Sequence, residues 1–259
     1  MPCNGWKVSL YLSGKGSTVT AVSKSALISK GLSNKQGASD NAKNSFSLIS
    51  MKDSGDNPSQ NDSKISRMLK ELTQLACRSG ASDATAISTG DILVEDDLAN
   101  LCRKPRCESY GLSTSCPPHV SGPSGFRELL KSFKHAIVIK IDVPLESLLS
   151  SERGDIMKLL HEIVAGVEQA AVKTGYSSSK AFAGGSCKKI FCHDYEGCRV
   201  LTEGGECRNP MHARPSMSGF GINVSKLMQA AGWTMNRYNS ETNPDVSSTA
   251  PICGLILIG

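Results

Sequence analysis

Seven of the ten cysteines in this chain fall into two groups: Cys102, Cys107 and Cys116, then Cys187, Cys192, Cys198 and Cys207. Thiolates are soft ligands that hold zinc, Cu(I) and iron–sulfur clusters, and short loops rich in Pro and Gly can aim several of them at one point. In the first group, Arg103, Lys104 and Arg106 favour the thiolate form and offset the negative charge of a sulfur-ligated metal. Pro117 after Cys116 lacks an N–H and fixes the turn, as does the Cys-Pro that ends a bacterial ferredoxin run. In the second group, Gly184 and Gly185 precede Cys187 and let backbone amides approach a metal or its sulfurs. Its four thiols suffice for a complete site, whether for zinc or for a 4Fe-4S cluster.

The total is odd, so one four-thiolate site leaves three cysteines over. The first group then either keeps an open position, as catalysis or metal transfer needs, or completes its shell with another side chain, for which His119 is the nearest candidate. His119 as a hydrogen-bonded turn residue is the bland reading beside it. His193 and His212 are alternative ligands near the second group, or polar loop residues. Cys102-x4-Cys107 and Cys187-x4-Cys192 sit at the upper edge of zinc-ligand spacing, and neither matches the tight ferredoxin run, so spacing alone favours structural zinc slightly. Arg214, close behind Cys207, can bind a carboxylate or phosphate of a ligand or redox partner, or can pair with a local acid in a rigid turn. Cys3, Cys77 and Cys253 stand apart, the latter two in apolar segments where small buried hydrophobes are the ordinary explanation.

Several elements must position these loops. A polar tract from Lys30 to Lys64, preceded by a short apolar piece at Trp6 to Leu12, buries too little to offset its ordering entropy, and residues 1–64 read as a disordered extension. Ile65, Met68, Leu69, Leu72, Leu75 and Ala76 then recur at helical spacing, and a cysteine-rich metal-binding domain is expected over 65–259. Ala86-Ile87 and Ile92 to Val94 read as strand or turn, Phe126 to Phe133 as a short helix, and Ala136 to Pro144 as a buried strand. Ser151 to Thr174 is a helix with Ser151 and Asp155 at a capped start, Val224 to Ala231 a helix ended by Gly232, and Ile252 to Ile258 a strand. The fold class is α+β, with a small ferredoxin-like sandwich carrying two cysteine-rich metal loops as the favoured form.

Composition narrows the function. A formal charge of +5, with scattered Lys and Arg and 5% aromatic residues, leaves nucleic acid unsupported as a partner. No run approaches the ~20 apolar residues that cross a bilayer, and Met1 to Thr18 lacks the apolar core of a secretory signal. A cytoplasmic location is expected, where cysteines stay reduced and clusters of them bind metal or do chemistry more often than they form disulfides. Nucleotide-binding glycine loops and the H-E-x-x-H motif are missing.

Taken together, Cys102, Cys107, Tyr110-Gly111, Cys116 to His119, Gly184 to Cys187, Cys207 to Met217 and Gly221 to Val224 resemble the DUF2284 family, described as predicted metal-binding proteins of anaerobic archaea and bacteria. The resemblance runs from about residue 65 to the end. It implies metal at the cysteines and supplies no reaction. An iron–sulfur cluster, 4Fe-4S in one or two copies, is the expectation that follows, with zinc as the alternative cofactor. Three roles stay open: an electron carrier with a redox or metal-pathway protein partner, a zinc scaffold, and an enzyme or metal-delivery factor using an open first site.

Overall fold

The computed structural model describes residues 58–234 and 249–259; Trp6 to Leu12, most of the Lys30 to Lys64 tract and Cys3 lie outside them. Eight α-helices are seen among these residues: α1 (Pro58–Arg78), α2 (Asp96–Asn100), α3 (Gly122–Leu130), α4 (Leu145–Leu149), α5 (Arg153–Lys173), α6 (Cys187–Phe191), α7 (Arg199–Thr202) and α8 (Val224–Ala230). Four strands accompany them: β1 (Asp83–Ser88), β2 (His135–Pro144), β3 (Lys180–Phe182) and β4 (Thr249–Ile258).

The strands form one sheet in the order β1-β2-β4-β3, with every neighbouring pair antiparallel. β2 and β3 therefore run parallel to each other, are connected through α5, and have β4 inserted between them, which is a split β-α-β unit. The α+β class expected from the sequence is present.

Both faces of the sheet are covered, and the side-chain alternation of β2 shows how. Ile137, Ile139, Ile141 and Val143 point to one face, where α1 and α5 supply Leu72, Leu160, Val164 and Val167. Ala136 and Val138 point to the other, against Phe126, Phe220, Leu227 and Met228. Three aromatic rings, Phe126, Phe182 and Phe220, meet there with centroids 5.1 to 5.3 Å apart. Burial on both sides is why β4 and the Ala136 to Ile139 half of β2 read as apolar runs instead of alternating ones, while Lys140 and Asp142 restore alternation at the end of β2. It also adds a third layer beyond a two-layer sandwich.

Local signals shift several boundaries. α1 begins at Pro58, so the last residues of the polar tract are helical; Pro opens a helix at no hydrogen-bond cost. α3 likewise starts early, with Pro123 in its first turn. Ser151 does not cap α5: the cap position is Glu152, which has no side-chain bond to the helix, and the Ser150 hydroxyl accepts from the Glu152 N–H at 3.1 Å. At α8 the Asn223 side chain accepts from the Lys226 N–H at 3.0 Å, as a good N-cap should. Ile92 to Val94 form no ladder, only one antiparallel bridge between Val94 and Ile222.

Gly254 marks the tightest approach of helix to sheet. A Cβ there would lie 2.4 Å from Val164 Cγ1 and 3.3 Å from Leu160 Cδ1. Gly254→Ala is therefore expected to destabilise the fold by about 1–3 kcal/mol through overpacking, readable as a lower urea midpoint.

Candidate metal centre

The second cysteine group is carried out of the sheet by β3. After Phe182, Ala183 pairs in parallel with Ser216: the Ala183 N–H donates to Pro215 O at 3.0 Å and the Met217 N–H donates to Ala183 O at 2.9 Å. The Ser216 N–H in turn donates to Ser115 O at 3.0 Å. One backbone ladder thus ties the approach to Cys187 to the residue before Cys116, and the two cysteine groups share a foundation.

Cys187, Cys192, Cys198 and Cys207 all line one cavity of about 230 Å³. Cys187 opens α6 and is buried, and its Sγ donates to Ser115 Oγ at 3.2 Å. Cys192 sits at the end of α6, and Cys198 at the cap of α7. Asn209 serves two sulfurs: its N–H points at Cys207 Sγ at 3.4 Å and its side-chain amide at Cys192 Sγ at 3.5 Å. Lys188, Arg199 and Arg208 line the same space. Arg208 is held over the Tyr195 ring at 4.2 Å and donates to Gly197 O at 3.2 Å. The Ser113 hydroxyl, fully buried at 0% exposure, lines this cavity without a hydrogen bond of normal geometry.

Thiol acidity differs around the ring. Burial pushes the Cys187 thiol up, and the neighbouring Cys116 and Cys207 add to that, against the nearby Ser115 and Ser113 hydroxyls. At Cys198 burial also opposes ionisation, but the amides of Thr114, Leu201 and Val200 with the Arg208 guanidinium outweigh it and hold the thiol below its ordinary value.

Cys102, Cys107 and Cys116 line a second, larger cavity of about 960 Å³. They sit on a chain of turns between α2 and α3: the Cys107 N–H donates to Cys102 O at 3.0 Å, and the Gly111 N–H to Pro117 O at 2.8 Å. Burial raises the Cys102 thiol, and the nearby Cys107 and Cys116 raise it further. Because Cys116 acts on both Cys102 and Cys187, it is where the two groups meet. Gly185, at φ +79°, lines the larger cavity in the left-handed region that favours glycine. Gly184 turns its carbonyl to His161. Lys189 on α6 is ion-paired with Glu108 and so bridges the two groups at the surface.

No histidine lines either cavity. His119 is exposed, with its N–H on Cys116 O at 3.0 Å; His193 pairs with Asp194; His212 stacks on Phe191. Arg103, Lys104 and Arg106 are exposed and outside both linings. Arg214 is nearly buried, and its guanidinium is given to Glu168, Pro210 O and Ala213 O, the local pairing. Cys253 is buried in β4, its thiol pushed up to about 12 by burial.

Sequence reading missed His161. It is the polar residue on the buried face of α5, fully buried, and that break in an apolar stripe was the available signal. Its Nδ1 accepts from the Arg214 N–H at 3.2 Å, so its Nε2 carries the proton and donates to Gly184 O at 3.0 Å. The ring bolts α5 to both loops that hold the four-thiol cavity. Burial lowers its pKa from 6.5 to about 4, and the carbonyl bond to Gly184 only partly opposes this. Above pH 6.5 the ring is neutral folded or unfolded; as pH falls from 6.5 towards 4 only the unfolded chain takes up the proton, so stability is lost. The loss approaches about 3 kcal/mol at the lower end. Thermal melts at pH 7 and 4.5 should show it, and His161→Gln should flatten that part of the pH dependence.

Among the described residues no group of three or more His, Cys, Asp or Glu side chains converges on a point that a single ion could occupy. No helix of the described residues is long and apolar enough to cross a membrane. No curated protein and no solved structure matches the chain. The family model described as "Predicted metal-binding protein (DUF2284)" matches residues 85–258, which contain both cysteine groups and the whole sheet except the first two residues of β1 and no part of α1. With seven thiols lining two adjoining cavities inside the matched region, the chain belongs to the DUF2284 family of predicted metal-binding proteins.

Proposed function

We propose that the protein is a cytoplasmic iron–sulfur protein in which Cys187, Cys192, Cys198 and Cys207 hold a 4Fe-4S cluster and Cys102, Cys107 and Cys116 hold a second with one open position. The observation that carries this is the donor set of the smaller cavity: four thiols line about 230 Å³ with no histidine and no carboxylate in the lining. A single zinc bonds sulfur at about 2.3 Å and needs its ligands gathered within about 4 Å of one another. A cluster brings its own iron and sulfide and so takes thiols spread around a wider space. The donor set fits a cluster in two further ways. Asn209 offers N–H groups to two of the sulfurs, and Lys188, Arg199 and Arg208 balance negative charge.

An iron–sulfur cluster supplies one-electron transfer and, at an open position, a Lewis acid. The chain's own part is to hold seven thiols, set their acidity and keep the two groups in contact through Ser115, Cys116 and Cys187. That contact favours a paired arrangement in which the four-thiol centre exchanges electrons with the three-thiol one, and a protein redox partner with the four-thiol side. The fold reading that goes with it is a ferredoxin-like sandwich with a permuted chain: α1 and β1 take the place of the last helix and strand, and the split unit through α5 takes the place of the first.

Iron, zinc and acid-labile sulfide analysis with a visible spectrum, on full chain purified without oxygen, tests the proposal. Iron with matching sulfide and an absorption that bleaches on reduction is expected. Zinc without sulfide, which the Cys-x4-Cys spacings would suit, would make the protein a structural scaffold or partner-binding module instead.

A further inference from the structure

The sulfurs of the four-thiol cavity have polar neighbours of their own. Cys187 Sγ lies 3.2 Å from Ser115 Oγ, and both residues are buried. Asn209 directs its backbone N–H at Cys207 Sγ and its side-chain Nδ2 at Cys192 Sγ. Its own carbonyl accepts from the His212 and Ala213 N–H groups at 3.3 and 2.9 Å, so the turn that aims Asn209 is built without help from the sulfurs. Among the described residues no hydrogen bond reaches the sulfur of Cys102, Cys107 or Cys116.

In the thiol form Cys187 donates and Ser115 Oγ accepts. A ligand sulfur carries no proton and can only accept, so with metal bound this contact persists only if it reverses, the Ser115 hydroxyl rotating to donate. The same change supplies a partner for Ser113. Its hydroxyl is packed away from solvent and makes no hydrogen bond of normal geometry. It lies beside Cys187, where it favours the thiolate against the larger effect of burial. A thiol sulfur is a weak acceptor and a ligand thiolate a strong one, so Ser113 is fully paired only when Cys187 holds metal.

We propose that Ser113, Ser115 and Asn209 form a hydrogen-bond donor set for the ligand sulfurs of the four-thiol centre, the two hydroxyls serving Cys187 and the side-chain amide Cys192, and that this set raises the reduction potential of that centre. Donors draw charge from the sulfurs and so stabilise the reduced state, which carries one more electron, above the oxidised one. Two of the three donors come from the loop of the first cysteine group, next to Cys116, so one cysteine loop sets the electronic properties of the centre held by the other. The potential rests on the iron–sulfur reading; the donor assignment holds for any metal that these thiolates bind.

Metal and sulfide analysis followed by a redox titration, read by visible absorption on the full chain purified without oxygen, tests this. Ser115→Ala removes one oxygen atom and leaves the Ser115 carbonyl in its ladder, and Asn209→Leu keeps the size of the side chain and loses its amide. Each should make reduction of the four-thiol centre about tenfold less favourable, about 59 mV lower for one electron, while the potential of the three-thiol centre stays put. Unchanged or raised potentials in both variants would overturn the proposal, even if the variants melt earlier, because a purely structural role moves stability alone. Zinc without sulfide sinks the cluster reading and shifts the readout to zinc affinity by chelator competition. The donor set then stands if each variant binds zinc about tenfold more weakly than the wild type, and falls if both hold it as tightly.

Discussion

Cys187→Ser is expected to cost the protein the metal of the four-thiol cavity while the three-thiol group keeps its own. Cys187 is the most enclosed of the four, 8% exposed, and it opens α6 against Ser115. A serine hydroxyl is a hard donor that does not ionise near neutral pH, so it replaces a soft thiolate poorly at iron or zinc. Iron and sulfide per chain should fall by the share of one centre, with the remaining absorption assigned to the other. Cys253→Ala is the matched control. That thiol is equally buried, lies in β4 outside both cavities and stays protonated with its pKa near 12, so its removal should leave metal content unchanged. Because Cys116 lies close to both Cys102 and Cys187, loss of all metal from Cys187→Ser would mean that the seven thiols build one joint centre. Retention of all metal would remove Cys187 from the ligand set.

The parts of this fold that the sequence discloses are those where one physical effect dominates. β4 and the Ala136 to Ile139 half of β2 are buried on both faces, and their short apolar runs rich in β-branched residues read as strands. α1 and α5 carry stripes long enough for helical periodicity to be unmistakable. β3 has three residues, too few for any period, and is a strand only because β4 offers it an open edge. The Ser151 cap failed because the helix starts one residue later, at Arg153, with Glu152 in the cap position and no side-chain cap, while the nearby Ser150 hydroxyl bonds the Glu152 N–H instead. At the site, residue type and grouping sorted the cysteines into the two sets that line the two cavities. What grouping could not convey is that the sets touch through Ser115 and Cys116, because that contact is made by a backbone ladder between three segments distant in sequence, at Ser115, Ala183 and Ser216. The unsatisfied hydroxyls of Ser113 and Ser186 were equally silent, since serine in a loop has many ordinary reasons to be there.

The largest stability effect among single polar residues is expected at Arg214. Its guanidinium donates through Nε to Glu168 Oε2 at 2.6 Å and through one terminal nitrogen to Ala213 O and Pro210 O at 2.9 and 3.1 Å. Glu168 in turn accepts from the Ala181 N–H at 2.7 Å, so the pair clamps the second cysteine loop to α5 and β3 together. The two side chains are 11% and 15% exposed, so removing one partner strands the other charge in a poorly solvated place. Arg214→Met should therefore destabilise the protein by about 3 kcal/mol, read from denaturant midpoints. The second mutation distinguishes stranded charge from lost packing. Glu168→Gln removes the orphaned charge yet keeps an amide oxygen for Ala181, so adding it to Arg214→Met should restore stability in part, whereas on the wild-type background the same change should only cost. If the two losses instead add, the pair contributes no coupling, and the ladder at Ala183 and Ser216 with the two His161 bonds holds the four-thiol loop in place.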